Sequence, residues 1–505
     1  MPATVALFAV VVYIPSWSHP FVYDDLPIVR DNPVVFGDAP WRDVFTKPYW
    51  SRGITADPLY RPVTTASFRL NATLLGHRPV AYHVVSTLLH ALAAVLLVLT
   101  ANLLWNHPAA GWTAGLLFAA HPINCESVVP IVGRSELLVM IFVILMIYVR
   151  LDTIRRAAAP AVRRHLVLSL FYALACFSKE QGILGLLAVA AVDMHFRREF
   201  ATNGPAPNLR ESLNALFASH YLGLILTAAG VLFVRWSIFG WQRTVPDLGI
   251  DPAFNPIAAA DGIERIATPF ALLATAVQLI ALPVNLCPIW SRGGIDLARS
   301  FTEPRVLAGF VITASLLFAA ATGLKRRRRV ALPVAVLLIF LVLPCHFVHA
   351  ANWFFAERWL YLPAAMVALT VAGAAAFRPR ATAVFVSLAT VALTVNTWHY
   401  QRSWSSGEAL IRVTVERQPN GYIGLVSLCQ WLERHGQLDE MPAQVARLQR
   451  HHPDAADSWY FHAVLLAHHG RTDDAARAFD RYYEMARLLG APPRIRPPAL
   501  NAPGN

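Results

Sequence analysis

The sequence predicts an all-α polytopic membrane protein, with about 11 spanning helices at roughly 20 apolar residues each and a short helical-repeat tail. Three observations predict it. The 505 residues are 56% hydrophobic and 15% charged, with mean hydropathy +0.45, and the apolar residues form long blocks instead of amphipathic alternation. Basic residues cluster in the short connections between those blocks. After Trp398 the blocks stop, and polar, helix-forming sequence carries Gly and Pro at a fixed spacing.

Candidate spans lie at 3–17, 82–104, 109–121, 128–150, 166–178, 182–195, 217–236, 266–285, 305–324, 330–348, 359–377 and 381–398. The first has no basic flank before it and no small-residue cleavage site after it, so it reads as an uncleaved anchor. The connections 150–164, 197–211, 325–329 and 378–380 hold five, three, five and two Lys or Arg against Asp152, Glu199 and Glu211. Basic loops mark the cytoplasmic side. If all candidates crossed, "KRRRR" at 325–329 would fall on the wrong side. The stretch 265–286 is the one expected not to cross, because Ile263, Glu264 and Arg265 open it and it contains Pro269 and Pro283. It is expected at the outer interface or re-entrant. The N-terminus then lies inside, and the C-terminus outside.

The net charge of +12 sits in these orienting clusters, which argues against nucleic acid as a partner. Lysine occurs only at Lys47, Lys179 and Lys325, and this Arg-rich, Ala-rich usage points to a GC-rich, bacterial genome and hence a bacterial inner membrane. Cys125, Cys176, Cys287, Cys345 and Cys429 are scattered, without the spacing of a disulfide framework or a zinc site.

The tail carries Gly436 and Gly470, and Pro419 and Pro453, each pair 34 residues apart. That is the tetratricopeptide period. In 456–489, Trp459, Ala463, Gly470, Ala475 and Phe479 fall where such a repeat places its packing residues; 422–455 keeps Gly436 and Pro453. The domains expected are 1–400 in the membrane, with a first outer loop at 18–81, 401–489 as repeats outside it, and 490–505 as a disordered Pro-rich tail. So short a repeat region must lean on the membrane domain or on a partner.

The chemistry-bearing residues converge on the outward corners. "YDD" at 23–25 and "YRP" at 60–62 lie in the first outer loop, "HPINCESV" at 121–128 and "GRSELL" at 133–138 in the next, and "SKEQG" at 178–182 and "AERWLY" at 356–361 in two more. Singly each has a plain explanation: a helix cap, a Pro-terminated helix, a snorkelling charge. Together, several charges at one membrane face mark a functional cavity. A carboxylate there can take a proton from an attacking hydroxyl, and Arg, Lys and His can stabilise a departing phosphate.

In this order, "FVYDDLPIVRDNPVV", "LLFAAHPINCESVVPIVGRSELL", "SKEQG" and "ERWLYLPAA", followed by the 34-residue repeat, resemble the transmembrane and tetratricopeptide repeat-containing O-mannosyltransferases of the GT-C glycosyltransferase superfamily. The resemblance covers most of residues 1–400. It implies a GT-C-type bundle, a polyprenyl-phosphate sugar donor, usually mannose, and transfer to a protein hydroxyl on the lumenal or periplasmic side. By the same matching Asp24 is the general base and Asp25 its partner in orienting the acceptor. Lys179 and Arg358 are the first candidates for the donor phosphate and Arg134 the third, while Arg61, His121 and Glu126 serve the phosphate, the sugar or the scaffold. Metal independence is expected, with no cofactor beyond the lipid-linked donor. The chain departs from the pattern in its short tail and in 286–303, which lacks a "DYS" motif.

Two other classes compete. A transporter or flippase of lipid-linked sugars would use the same corners, but its charges belong at the midplane between repeated helices. A non-catalytic anchor for the repeats would tolerate any residue at Asp24 and few changes in the tail.

Overall fold

The computed structural model describes residues 1–50, 59–156, 162–196, 220–240, 254–326, 328–351 and 353–488, together with 210 and 252. The expected disordered tail 490–505 and nearly all of the basic loop 197–211 lie outside the described residues.

Within these residues the chain is helical, with a single isolated backbone bridge between Trp290 and Phe355. In chain order the membrane part comprises α1 (Pro2–Tyr13), α2 (Pro62–Leu75), α3 (Pro79–Trp105), α4 (Pro108–Ala120), α5 (Arg134–Arg155), α6 (Val162–Ser178), α7 (Gly185–Phe196), α8 (Leu222–Phe239), α9 (Gly262–Ala281), α10 (Pro304–Lys325), α11 (Ala331–Leu341), α12 (Tyr361–Phe377) and α13 (Pro379–Tyr400). Proline opens many of them, as its fixed φ and missing N–H allow at a helix start. Seven described helical segments are long and apolar enough to cross a bilayer. The molecule is a multi-pass membrane protein.

α3, α4, α5 and α12 form the interior, and their buried Ala, Val, Leu and Ile residues merge into one core with α1 and α11. α8, α10 and α13 turn many of their apolar side chains outward, among them Phe233, Phe318 and Leu388. That distribution fits helices whose solvent is lipid.

Contacts identify the two ends of the bundle. At one end Arg155 and Arg329 both donate to the carbonyl of Leu104, so two of the basic connections meet there. At the other lie the ends of α4 and α11, with His121 and His346.

α9 has the length and apolarity of a spanning helix, yet both its ends rest on this second end of the bundle. Near its start Arg265 donates to the carbonyl of His346, at 2.9 Å, and near its finish the Ile280 carbonyl accepts from His121 at 2.8 Å. His346 in turn packs on Trp359, beside Arg358, whose backbone N–H reaches Glu126. A helix of 20 residues is about 30 Å long, and hydrogen bonds tie both of its tips to this end of the bundle.

The tail consists of α14 (Gly407–Arg417), α15 (Tyr422–Arg434), α16 (Pro442–His451), α17 (Ala456–His468) and α18 (Thr472–Leu488), with its own apolar core. α15 and α17 begin 34 residues apart. Each ends in the same left-handed turn: Gly436 and Gly470 sit at φ +68° and +73°, and the next N–H (Gln437, Arg471) returns to the carbonyl of Leu432 or Leu466 at 2.9 Å. A Cβ resists that conformation, which is why glycine recurs there. The pairs lean on the segment after α9. Arg292 forms a bidentate ion pair with Asp454, at 2.7 and 2.6 Å, and the Tyr422 N–H donates to the Arg292 carbonyl at 2.9 Å.

Cysteines introduced at Asp261 and Asn285, which flank α9 and are exposed, should react with a membrane-impermeant thiol reagent from the same side of an intact membrane. The native cysteines are buried. Labelling from opposite sides would show that α9 crosses.

Candidate active site

Tyr23 opens the acidic motif in the left-handed region, with φ 50°, a conformation that costs a non-glycine residue energy and collects at functional sites. It sends the two following acids different ways. Asp25 turns inward and is fully buried, its oxygens accepting from the N–H groups of Val132 at 2.9 Å and Val22 at 3.4 Å. Burial pushes it up to about 7, against the pull of those hydrogen bonds. Asp24 stays partly exposed and has no side-chain hydrogen bond among the described residues; burial raises its pKa while Arg358 and Arg61 oppose the rise.

Asp24 lines a cleft at the protein surface. Its walls come from separate stretches of chain: Val22 and Tyr23; Glu126, Pro130 and Val132; Pro288, Ile289 and Trp290; Trp353, Phe355 and Arg358; and Trp404 and Leu410 from the approach to the tail. Arg358 is held across it by Glu126, through a side-chain ion pair and a backbone N–H bond of 2.8 Å. Glu126 is buried, which raises its pKa, and the charge of Arg358 pulls it back. The guanidinium also faces the ring of Trp353 at 6.0 Å.

Two further ion pairs flank this one. Lys179, buried, pairs with Glu136; burial lowers the lysine to about 8 while Glu136 holds it up. Arg61 meets Glu180 with bonds of 2.7 and 3.1 Å and covers the ring of Tyr49 at 5.0 Å. The charges of Arg61 and Arg358 act on both Lys179 and Asp24. Each of the three cations already has a carboxylate partner. Among the described residues no group of three His, Cys, Asp or Glu side chains is placed to hold a metal ion.

Of the residues singled out from sequence, Asp24, Glu126 and Arg358 share the cleft, and Lys179 and Arg61 flank it. His121 and Arg134 are placed elsewhere. His121 accepts from the Ile123 N–H through Nδ1 and bonds the Ile280 carbonyl through Nε2, which anchors α9. Arg134 is fully buried and bonds Asn71 Oδ1, the Tyr82 and Ser67 carbonyls and Ser86 Oγ, between the rings of Phe68 and Tyr82. It pins α2, α3 and α5 together and is not free for a phosphate. Asp25, assigned to the acceptor, spends its oxygens on backbone.

Sequence reasoning missed the partners. Glu136 and Glu180 stood inside quoted motifs without a role. Glu357 was passed over too: fully buried, it accepts from the Cys287 N–H at 2.6 Å, Trp290 Nε1 at 3.0 Å and the Tyr400 hydroxyl at 2.8 Å, and so fixes the cleft's Trp290 wall. Nothing in the spacing of "CPIW" points to a carboxylate some 70 residues away.

Comparison with known proteins finds relatives over most of the membrane part. The chain is 31% identical to the human protein O-mannosyl-transferase TMTC4 over 401 residues, 70% of this chain and 52% of that one. It is 30% identical to human TMTC1 over 440 residues, 79% and 49%, and 29% identical to mouse TMTC3 over 374 residues, 70% and 40%. The chain thus spans about half the length, or less, of the curated relatives it matches. No family model matches. Among solved structures, ArnT from Cupriavidus metallidurans bound to undecaprenyl phosphate aligns at TM-score 0.39 and 13% identity over 96% of this chain and 76% of that one. The oligosaccharyltransferase AglB from Archaeoglobus fulgidus, with an inhibitory peptide and a dolichol-phosphate, aligns at 0.40 and 16% over 81% and 55%. Both scores are too low to establish a common fold.

Replacing Glu136 by Gln should strand the Lys179 charge and cost about 3–5 kcal/mol of stability, the usual consequence of breaking a buried pair. Replacing both, Lys179→Met with Glu136→Leu, should recover much of the loss in thermal unfolding in detergent. A Glu136→Gln protein as stable as wild type would show that the pair does not hold the site.

Proposed function

Starting from its homology to the TMTC protein O-mannosyl-transferases, we propose that this chain is a GT-C-type glycosyltransferase. It moves a sugar, mannose in the first instance, from a polyprenyl-phosphate donor to a protein Ser or Thr hydroxyl. The observation that carries the reading is the Asp24 carboxylate: it lines the cleft without a hydrogen-bond partner among the described residues, opposite the Arg358–Glu126 pair.

The acceptor hydroxyl attacks the anomeric carbon as the bond from that carbon to the phosphate oxygen breaks, inverting the configuration. Asp24 takes the hydroxyl proton. Negative charge grows on the leaving phosphate, where Arg358 and, behind it, Lys179 lower its energy. Holding one substrate from the lipid and one from water in register supplies much of the rate. Asp25 acts at a distance from both: by fastening the first loop to the turn at Val132 it aims its neighbour.

The Arg-rich basic loops on the far end of the bundle support placing the cleft and tail on the periplasmic side of a bacterial inner membrane. The two helix pairs with their 34-residue offset support reading the tail as tetratricopeptide-like repeats beside the cleft mouth, where an acceptor protein would arrive.

In membranes with matched expression, Asp24→Asn should reduce transfer of labelled mannose from polyprenyl-phosphate mannose by about 10²–10⁴-fold, the range for losing a general base. Wild-type activity should rise with pH through a midpoint above the ordinary carboxylate range, since Asp24 must be ionised to act and burial raises its pKa. Asp25→Asn should act through stability, with less folded protein. Full activity of Asp24→Asn would remove the assigned base.

A further inference from the structure

The cleft has an aromatic wall that the scheme above leaves without a task. Three tryptophans from separate stretches of chain line it, Trp290, Trp353 and Trp404. Trp290 is fixed: its ring meets Phe355 edge-on at 5.7 Å and its Nε1 donates to Glu357 at 3.0 Å. The rings of Trp353 and Trp404 pack against Phe254 at 6.2 Å and Tyr400 at 5.0 Å. Neither gives its indole N–H to an acceptor among the described residues. Trp404 is only 3% exposed, and a tryptophan so buried ordinarily finds a partner for that group.

What this wall offers is ring surface and N–H donors, while its buried carboxylates, Glu126 and Glu357, are already committed to Arg358 and to Cys287, Trp290 and Tyr400. An incoming group gains most there if it is apolar, carries acceptors and brings few donors of its own. Proline in a polypeptide has that chemistry: a flat apolar ring, no backbone N–H, and neighbouring carbonyls held in an extended conformation that costs little entropy to bind. A sugar hydroxyl brings a donor with every acceptor, so a sugar ring matches the wall less well. Position points the same way. Trp290 lies two residues before Arg292, which clasps Asp454; Trp353 packs on the apolar core of the tail; Trp404 leads into α14. The cations assigned to the donor phosphate, Arg358 and Lys179, are tied instead to Glu126 and Glu136, before and within α5.

We propose that Trp353 and Trp404 form the acceptor subsite of the cleft, and that it takes an extended segment whose Ser or Thr is flanked by proline. This inference rests on the glycosyl-transfer reading and extends it from the hydroxyl to the sequence around it. The flanking prolines lie on the indoles, carbonyls of the segment accept from their N–H groups, and the hydroxyl between them is delivered to Asp24. Trp353 and Trp404 are specificity residues; the proton remains with Asp24.

The test compares two short peptides, one with its central Thr flanked by proline and a twin with alanine in those places. Binding to the full chain in detergent is measured, with geranyl phosphate as a probe of the phosphate side and transfer of labelled mannose as a separate readout. Wild type should bind the proline peptide about tenfold more tightly than its twin. Trp353→Leu, which removes ring and donor, should abolish most of that preference while geranyl phosphate binds as before. Trp404→Phe, which keeps an aromatic ring and removes the donor, should lose part of it. Equal binding of the two peptides by wild type would overturn the inference whatever the variants do, and would leave the transfer reading in place. An undiminished preference in folded Trp353→Leu and Trp404→Phe proteins would overturn it as well. Loss of geranyl phosphate binding in step with the peptide would overturn it in favour of a donor contact. Proline-selective binding by a wild type that transfers no mannose would uphold the peptide site and overturn the transfer reading.

Discussion

The rest of this molecule depends on how charge is carried at the edge of a low-dielectric bundle. An ion buried there without a partner costs several kcal/mol, so it must be paired to persist. The structure pairs Arg358 with Glu126, Lys179 with Glu136 and Arg61 with Glu180, and each pair joins segments distant in sequence. The pairing also sets the chemistry, because it leaves Asp24 as a cleft carboxylate without a hydrogen-bonded partner among the described residues and with a raised pKa. A base must hold its proton affinity in reserve, and an acid fully committed to an arginine does not.

The same economy extends outward to the tail. Glu357 gathers the Cys287 N–H, Trp290 and Tyr400, which fixes the short segment between α9 and α10. Two residues on, Arg292 of that segment clasps Asp454 of the helical tail. One strip of chain therefore forms a wall of the cleft on one side and the seat of the tail on the other. The tail helices rest on the membrane domain through that strip, and His121 ties the end of α9 to the same end of the bundle.

Much of this was legible in the sequence. Apolar blocks of helical length gave the fold class, and most of the charged motifs at helix ends gather at one end of the bundle, because charge is tolerated only where a helix leaves hydrocarbon. The identity of partners was not legible. "SKEQG" announces a lysine beside a glutamate, but the two point to different partners, Glu136 and Arg61, 43 and 119 residues away. The split between Asp24 and Asp25 hangs on the positive φ of Tyr23, which no pattern of side chains announces. Arg134 and His121 look like ligands in one dimension and prove to be rivets in three, since their hydrogen-bond capacity is spent on carbonyls and a backbone N–H.

The central claim is that the cleft between Asp24 and Arg358 is where a lipid-linked sugar sits. Photo-crosslinking with a polyprenyl-phosphate sugar carrying a diazirine near the phosphate, followed by peptide mapping, tests it most directly. The label is predicted on peptides containing residues 22–25 and 353–358, and an excess of unlabelled donor should remove it. Saturable labelling confined to the tail, or to the opposite end near Leu104 and Arg329, would contradict the assignment.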